Sequence, residues 1–245
     1  MSDSNDDAGG PRYRRVLLKL SGESLCEPGG NGVDVDAVSQ TAELVLAAHG
    51  LGVQLAVVIG GGNIIRGAQL AALGINRATA DYMGMLGTAV NALALQDALE
   101  KRVAETRVCS GLDIPKVMEP FIRRRVDRHL ERGRIVILAA GSGAPFFTTD
   151  TAAALRAVEL GCEALLKATK VDGVYDKDPN VHDDAVRLEK LAYMEVMNRG
   201  LGIMDKTAVT MCMENDLPIV VFGMADPQNL QGVLRGESCG TIISH

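Results

Sequence analysis

The sequence is poor in aromatic residues and in positive charge. Aromatic side chains make up 3% of the 245 residues, and tryptophan is absent. The formal net charge is -6 at pH 7, and the pI is near 5.3. Proteins that coat a nucleic acid present a basic surface, and those that stack exposed bases need aromatic platforms. Nucleic acid is therefore not expected as a partner, and any phosphate-binding site is expected to be local.

A long apolar run and a secretory leader are also missing. A membrane-spanning helix needs about 18 consecutive apolar residues, whereas the longest apolar stretches here are VLAA, LAVVI and IVILAA. Residues 1–12 are acidic and contain Gly and Pro, without the basic and then apolar layout of a signal peptide. We therefore expect a disordered tail over residues 1–12, a single domain over residues 13–245, and a cytoplasmic protein without membrane contact.

The cysteines form neither a disulfide framework nor a metal-ligand set. Cys26, Cys109, Cys162, Cys212 and Cys239 are odd in number and far apart, with no C-x-x-C pair. No histidine lies near enough in sequence to complete a metal site. We interpret them as reduced, mostly buried thiols of a cytosolic protein and predict no protein metal site.

Short β-branched runs alternate with longer amphipathic stretches. This alternation indicates βαβ units on a parallel sheet, so the predicted fold class is α/β, an open and mostly parallel sheet with helices on both faces in an αβα sandwich. Strands are predicted at 15–20, 53–59, 107–110, 135–139, 164–167, 219–222 and 241–244, and helices at 36–49, 79–102, 123–132, 151–160, 193–199 and 206–215. Residues 170–187 are polar and rich in turn residues, which predicts a long functional surface loop.

Three loops rich in small residues follow three of the predicted strands. They are KLSGES (19–24), GGGNIIRG (60–67) and GSGAPFFTTD (141–150). Ligands of open α/β sheets bind at the carboxyl ends of the strands, so these loops are expected to converge. A lone glycine loop is most often a tight turn. Three of them, with Lys19 and Arg66 as fixed cations, favour a site at which backbone N–H groups receive phosphate.

The common nucleotide-binding motifs are absent. There is no G-x-x-x-x-G-K-[ST] and no protein-kinase motif set. Ile65 stands where the third glycine of G-x-G-x-x-G would follow Gly60 and Gly62. These absences exclude the P-loop kinases and the protein kinases. They indicate one of the less common α/β folds that bind phosphate.

Six segments, taken in order and spacing, carry a resemblance to a known family. They are RVLLKLSGESL, VVIGGGNIIRG, DYMGMLGTAVNALALQDAL, AGSGAPFFTTDTAAALRAVEL, LLKATKVDGVYDKDP and PIVVF. Over about residues 13–244 the chain resembles the bacterial and archaeal-type UMP kinases of the amino-acid kinase family. The resemblance implies the amino-acid kinase fold and a hexameric enzyme of pyrimidine biosynthesis. Such an enzyme transfers the γ-phosphoryl group of ATP to UMP, is activated by GTP and is inhibited by UTP.

The resemblance also implies roles for individual residues. The residues expected to bind ATP are Lys19, Leu20, Ser21, Gly22, Gly62, Arg66, Thr169, Tyr175 and Asp178. Those expected to bind UMP are Gly61, Asp81, Ser142, Gly143, Ala144, Pro145, Phe146, Phe147, Thr148 and Thr149. Lys19, Arg66 and Asp150 are the expected catalytic residues. Ser142 and Ala144 stand where the family pattern has Thr and Asn.

Several of these residues have a simpler structural interpretation. Asp81 can accept hydrogen bonds from the ribose hydroxyls of UMP, although an Asp at the start of a helix is more often an N-cap. Thr148 and Thr149 can donate to phosphate or cap the next helix. Tyr175 can pack half-buried instead of facing a base, and Asp178 before a proline can be a turn residue.

The expected chemistry needs no general base. The phosphate of UMP is largely dianionic at pH 7, because its second pKa is about 6, so His129 and His182 are not expected to be catalytic. Catalysis then requires holding two polyanions in line and neutralising charge on the transferred group. Lys19 is the chief residue for this, Arg66 shares the charge, and Asp150 fixes Lys19. Mg²⁺ is expected to arrive with ATP, coordinated mostly by ATP and water.

Residues 123–134 concentrate arginines in an otherwise acidic chain. Such a cluster is most often a solvated helix face. Because members of the family bind GTP between subunits through basic residues near this strand, the resemblance makes Arg107 and Arg134 the expected effector contacts. Residues 26–32 match the family's effector-linked loop in length more than in residues.

Two other functions stay open from the sequence. A related kinase that phosphorylates a carboxylate or a carbamate would need a cationic clamp for a small acid. A nucleotide-binding sensor that transfers nothing would be expected to lack Lys19 or Asp150, and both are present.

Overall fold

The computed structural model describes residues 10–179 and 181–245. Of the tail predicted over residues 1–12, residues 1–9 lie outside this part of the chain. Arg12 is held in place, since its backbone N–H donates to the carbonyl of Leu234 at 2.7 Å and its guanidinium lies 5.3 Å from the ring centre of Tyr13.

The described chain has eleven strands, nine in one large sheet and two in a separate small sheet. The strands are β1 (Arg15–Leu20), β2 (Gln54–Ile59), β3 (Thr106–Ser110), β4 (Glu119–Pro120), β5 (Ile135–Ala139), β6 (Ala164–Thr169), β7 (Val174–Tyr175), β8 (Arg187–Leu188), β9 (Lys190–Ala192), β10 (Ile219–Gly223) and β11 (Gly240–Ser244). The order in the large sheet is β4-β3-β5-β2-β1-β6-β10-β11-β9, and β7 pairs with β8 separately. Within the large sheet only β10 and β11 pair antiparallel in the described residues. The sheet is therefore mostly parallel, as predicted.

Helices cover both faces of this sheet. They are α1 (Val35–His49), α2 (Gly67–Ala72), α3 (Arg77–Glu100), α4 (Arg123–Glu131), α5 (Thr149–Glu159), α6 (Tyr193–Arg199), α7 (Lys206–Glu214) and α8 (Gln228–Arg235). One buried cluster joins α1, α3 and α8 to one face of the strands, and a second joins α4, α5, α6 and α7 to the other. The predicted α/β sandwich is confirmed.

The central strand shows how the sequence divides between these two cores. Successive side chains of a strand point to opposite faces. Val16, Leu18 and Leu20 accordingly pack into the first cluster, and Leu17 packs into the second. Burial on both faces explains why the strand is apolar almost throughout. Lys19 shares the face of Leu17 and lies near the carboxyl end, where the loops begin.

Most predicted elements are confirmed within one or two residues, and capping residues explain the shifts. α5 begins at Thr149 rather than at residue 151, because Thr148 is its N-cap. α3 begins at Arg77 rather than at residue 79, with Asn76 as N-cap. Asp81 therefore lies inside α3, and the interpretation of Asp81 as an N-cap is wrong. α1 is capped by Asp34, one of the two expected residues.

Several short elements were not predicted. Residues 170–187 contain β7 and the first residue of β8, so the interpretation of this segment as a loop alone is wrong. The elements α2, α8, β4 and β9 were also not predicted from the sequence. α8 contains Gly232, which weakens the helix signal in the sequence. A Cβ at Gly232 would lie 2.4 Å from Cys239 Sγ, so close packing explains the glycine. No helix among the described residues has the length and apolar character to cross a membrane.

Candidate functional site

The loops after β1 and β2 pack directly against each other. The backbone N–H of Gly60 donates to the carbonyl of Leu20 at 3.0 Å. A Cβ at Gly22 would lie 2.6 Å from the carbonyl oxygen of Gly60 and 2.3 Å from Oδ1 of Asn63. Only glycine therefore fits at residue 22. The predicted convergence of these two loops is confirmed.

Two buried asparagines hold the second loop. Asn91 of α3 donates through Nδ2 to the carbonyl of Gly60 at 2.8 Å, and its side chain pairs with that of Asn63 through contacts of 2.7 and 3.0 Å. Asn63 also donates to the carbonyl of Gly32 at 2.7 Å. Buried polar groups need such partners, so the amide pair fixes the loop without using the N–H groups at its tip. Neither asparagine was predicted to be a site residue.

A carboxylate between two lysines forms the centre of the site. Lys19 of β1 and Lys167 of β6 are direct partners in the parallel register. Asp150, in the first turn of α5, lies between them. Its Oδ2 accepts a hydrogen bond from Lys167 Nζ at 2.7 Å, and its Oδ1 lies 2.8 Å from Lys19 Nζ. The contact with Lys19 does not have hydrogen-bond angles, and Oδ1 has no hydrogen-bond partner among the described residues.

Burial and charge act in opposite directions on these groups. Burial alone would raise the pKa of Asp150, but the two ammonium groups outweigh it and hold this pKa below its usual range. Burial lowers the pKa of Lys167, and the positive charge of Lys19 adds to that effect, while Asp150 opposes it. Asp150 is therefore a fixed negative charge that keeps two neighbouring cations in place.

Lys167 was not predicted to be a site residue. Only 9% of its surface is exposed, and its Nζ also donates to the carbonyl of Ile203. A buried lysine needs partners of this kind. The sequence signal that pointed to Lys19 also applies to Lys167. Each lysine follows a run of apolar residues near the carboxyl end of its strand.

A second set of charges lies at the mouth of the site. The carboxylate of Glu23 contacts the guanidinium of Arg66 through one oxygen and Lys170 Nζ at 2.7 Å through the other. The hydrogen bond from Lys170 is the largest cause of a lowered pKa of Glu23, and the charges of Lys170 and Arg66 add to it, so this pKa lies below its usual value although burial opposes the shift. Arg66 is half exposed. The structure thus brings Arg66 to the first loop through Glu23, another residue that the sequence analysis missed.

The third loop is tied to α3 by Asp81. Its Oδ2 accepts the backbone N–H of Phe146 at 2.8 Å, and its carboxylate pairs with Arg77 Nε at 2.9 Å. Phe146 has φ 72° and Gly143 has φ 80°. The hydroxyl of Ser142 interacts with the backbone of Ala144 within the loop. Asp81 therefore lies beside the loop with which it was expected to bind UMP.

Thr148 caps α5, as its simpler interpretation had it. Its hydroxyl oxygen accepts the backbone N–H groups of Asp150 and Thr151, both at 3.1 Å, and donates to Asp205 Oδ2 at 2.5 Å. Asp205 also accepts the hydroxyl of Thr151 at 2.9 Å. Asp205 was not predicted to be a site residue.

The residues expected at the ATP nucleoside share one cavity. Thr169, Tyr175 and Asp178 line a volume of about 470 Å³ with Leu201 and Ile203. Tyr175 donates its hydroxyl to Asp172 at 2.5 Å, and this hydrogen bond raises the pKa of the phenol. The cavity adjoins the lysines, because Ile203 accepts the hydrogen bond from Lys167.

Arg107 and Arg134 lie away from these loops. Arg107 is near the start of β3 and Arg134 just precedes β5, at the opposite ends of the strands. Arg134 pairs with Glu105 at 2.7 Å, which lowers the pKa of that carboxyl. Arg107 lies 3.8 Å from Glu119. The two arginines are therefore near each other and separate from the lysine pair.

No protein cage for a metal occurs in residues 10–179 and 181–245, where no three His, Cys, Asp or Glu side chains are grouped to hold an ion. Both oxygens of Asp150 already face ammonium groups. These residues fit a divalent ion that arrives with a polyphosphate and keeps water ligands.

A mostly parallel α/β sandwich that gathers two lysines, a carboxylate and glycine loops at one sheet edge defines a phosphate-binding protein suited to phosphoryl transfer. The sequence model of the amino acid kinase family matches residues 14–223, and the chain belongs to that family.

Within this family, the chain is similar to uridylate kinases. A uridylate kinase of Xanthomonas euvesicatoria pv. vesicatoria is 56% identical over 231 residues, covering 94% of this chain and 96% of that protein. A uridylate kinase of Xanthomonas campestris pv. campestris matches with the same identity and coverage.

Solved structures agree in fold. The crystal structure of UMP kinase from Bacillus anthracis has a TM-score of 0.92 at 38% identity and covers 95% of this chain and 96% of its own. UMP kinase from Ureaplasma parvum has a TM-score of 0.89 at 33% identity and covers 96% of this chain and 100% of its own. The resemblance to UMP kinases stated from the motifs is confirmed.

Proposed function

We propose that this protein is a UMP kinase, which transfers the γ-phosphoryl group of ATP to UMP and yields ADP and UDP. One observation carries the proposal. Lys19 and Lys167 stand side by side on adjacent strands, joined by Asp150, at the edge where the glycine loops converge. The family membership and the uridylate kinases at 56% identity support ATP and UMP as the nucleotide pair.

In the proposed reaction a phosphate oxygen of UMP attacks the γ-phosphorus of ATP. The new P–O bond forms as the bond from the γ-phosphorus to the β–γ bridging oxygen breaks, and that oxygen leaves with ADP. UMP is already largely dianionic at pH 7, so no side chain needs to remove a proton. Consistent with this, no histidine contacts Lys19, Lys167 or Asp150 in the hydrogen bonds and ion pairs of the described residues.

The protein contributes position and positive charge. Lys19 and Lys167 neutralise the charge that develops on the transferred group, and Asp150 holds both ammonium groups at one place. Arg66 and the N–H groups of Gly22 and Gly62 receive the other phosphate oxygens. Arg66 becomes available when phosphate replaces Glu23 as its partner.

We place the two nucleotides on opposite sides of Asp150. ATP occupies the side of β1 and β6, with its nucleoside in the cavity of Thr169, Tyr175 and Asp178. UMP occupies the side of Gly61, Asp81 and the loop 142–149. Asp81 offers its carboxylate to the ribose hydroxyls, next to the N–H of Phe146 that it already binds.

Magnesium is proposed to enter with ATP. A bound Mg²⁺ would neutralise charge on the ATP phosphates. The described residues of the site leave its coordination to ATP oxygens and water, because Asp150 is engaged with the two lysines.

Regulation and assembly belong to the same proposal. We propose a hexamer activated by GTP and inhibited by UTP, with Arg107 and Arg134 as effector contacts. The role of Arg107 and Arg134 is supported by their position, because the two arginines lie near each other and far from Asp150. The five free cysteines fit a reducing compartment, and we propose that the protein works in the cytoplasm.

The acceptor profile tests the proposed function. Initial rates of ADP formation are compared for UMP, CMP, dUMP and small carboxylates at saturating ATP. UMP is expected to be the best acceptor. A higher rate with a carboxylate would indicate another kinase of the family, and binding without turnover would indicate a sensor.

A further inference from the structure

Asp205 makes more contacts than a helix cap requires. It is the N-cap of α7, and its Oδ1 accepts the backbone N–H of Ala208 at 3.0 Å. Its carboxylate also accepts the hydroxyls of Thr148 at 2.5 Å and of Thr151 at 2.9 Å. By contrast, the N-cap side chain of α1, Asp34, binds the N–H of Ala37 at 2.8 Å. One carboxylate thus fixes the N-termini of two helices, α5 and α7.

The two threonines stand on either side of the catalytic carboxylate. Thr148 caps α5 and ends the loop 141–148, while Thr151 follows Asp150 in the first turn and is buried. The hydroxyl of Thr148 also binds the N–H of Asp150 at 3.1 Å. Movement of Asp205 would therefore be transmitted to the backbone that carries Asp150.

The segment before Asp205 reaches the ATP side. Ile203 accepts the hydrogen bond from Lys167 Nζ, and residues 200–203 line the cavity of Tyr175. One short stretch, 200–205, therefore contacts a catalytic lysine, the wall of the nucleoside cavity and the end of the UMP loop. Rigid links of this kind matter where two substrates must be held in line.

We propose that Asp205 is a positioning residue that ties the loop bearing the UMP contacts to the wall of the ATP cavity and so sets the distance between donor and acceptor. It touches neither reacting atom. This inference rests on the proposed function, since it assigns the contact a role in that transfer.

The first test compares Asp205→Asn with Asp34→Asn. Both exchanges keep a side chain that can cap a helix, but only the first removes a carboxylate that two hydroxyls share. For Asp205→Asn we expect kcat to fall about tenfold, with KM for ATP and for UMP within about threefold of wild type. Asp34→Asn is expected to keep the wild-type kcat. Equal kcat values in both variants would overturn the proposal, as would a loss confined to KM.

Thr151 supplies a second test if Asp205→Asn fails to fold. Thr151→Val keeps the shape and removes the hydroxyl, whereas Thr151→Ser keeps the hydroxyl. We expect kcat to fall several-fold in the valine variant and to be retained in the serine variant. A valine variant that melts at a lower temperature but turns over at the wild-type rate would show a structural contact alone and overturn the proposal.

The wild-type protein separates this proposal from the proposed function. Transfer to UMP by wild type, together with an unaffected Asp205→Asn, would reject only the role of Asp205. Absence of transfer by wild type would reject both.

Discussion

Lys19 and Lys167 each follow a run of buried apolar residues in their strands, and each would be poorly solvated alone. Their ammonium groups flank Asp150 at 2.8 and 2.7 Å. Removing one partner of such a group leaves an uncompensated charge in a largely buried place, which destabilises a fold strongly. The three side chains therefore act as a unit, and a change at any of them is expected to affect the other two.

Replacing Lys19 tests the charge at the reacting group. We expect Lys19→Ala to lower kcat by about 10² or more, because a preorganised cation near the transferred phosphoryl group is lost. Steady-state rates at saturating ATP and UMP measure this, and circular dichroism checks that the fold persists. Turnover equal to wild type would remove Lys19 from the mechanism.

Asp81 is expected to recognise the sugar of the acceptor. Because its carboxylate would bind the ribose hydroxyls, dUMP should be a poorer acceptor than UMP, and Asp81→Asn should reduce the difference. The comparison uses kcat/KM for both nucleotides in both proteins. If wild type uses the two nucleotides equally, Asp81 only supports Phe146.

In the free chain the carboxylate of Glu23 forms ion pairs with Arg66 and Lys170. It therefore competes with phosphate for these two cations. We expect Glu23→Gln to lower KM for ATP several-fold with little change in kcat, because the competing carboxylate is gone. Glu27→Gln, an exposed change nearby in the chain, serves as the control. A higher KM for ATP in Glu23→Gln would show that Glu23 supports Arg66 instead of competing for it.

At the scale of elements, the loop 141–149 depends on close contact with the chain after β3. Gly143 has φ 80°, and a Cβ there would lie 2.3 Å from the carbonyl oxygen of Gly111. Gly133 has a similar φ of 71° but open space around it. Alanine is strained at both positions, by roughly 1 kcal/mol, and only at Gly143 must the loop also move.

We therefore expect Gly143→Ala to raise KM for UMP about tenfold and Gly133→Ala to leave it unchanged. KM for ATP should stay near wild type in both variants. Thermal melting measures the strain that they share. A Gly143→Ala protein with normal KM for UMP would separate the loop from the acceptor site.

The sequence predicted elements well where the local signal was strong. The strands at 15–20 and 135–139 and the helix at 193–199 match β1, β5 and α6 residue for residue. β4 and β9 have two and three residues, too few for a periodic pattern. In the site, the Lys19 and Asp150 pairing was foreseen through the family resemblance. The pairing of Asn63 with Asn91 and the contact of Asp205 with Thr148 join residues at least 28 positions apart, and no local pattern reveals such contacts.

On the scale of the whole molecule, the basic cluster at 123–134 is offset by acidic neighbours. Arg134 pairs with Glu105, and Arg125 lies 3.5 Å from Glu119. This local pairing agrees with a net charge of -6. It also means that an effector phosphate would have to compete with carboxylates at this edge of the sheet.

A GTP titration tests the effector contacts. At fixed ATP and UMP we expect GTP to raise the initial rate of wild type and to have a weaker effect on Arg134→Ala, without competing with ATP. Arg124→Ala, an exposed change in the same cluster, is the control. Oligomer mass is measured in parallel. An unchanged GTP response in Arg134→Ala of normal mass would reject this contact.

The most direct test of the central claim is transfer of label from the γ-phosphate of ATP. Wild type and Lys19→Ala are incubated with γ-labelled ATP, Mg²⁺ and UMP, and the products are separated. Wild type should yield labelled UDP at the rate at which ADP appears, and Lys19→Ala should yield at least about 10²-fold less. Label released as free phosphate, or labelled UDP formed equally by both proteins, would contradict phosphoryl transfer to UMP at this lysine pair.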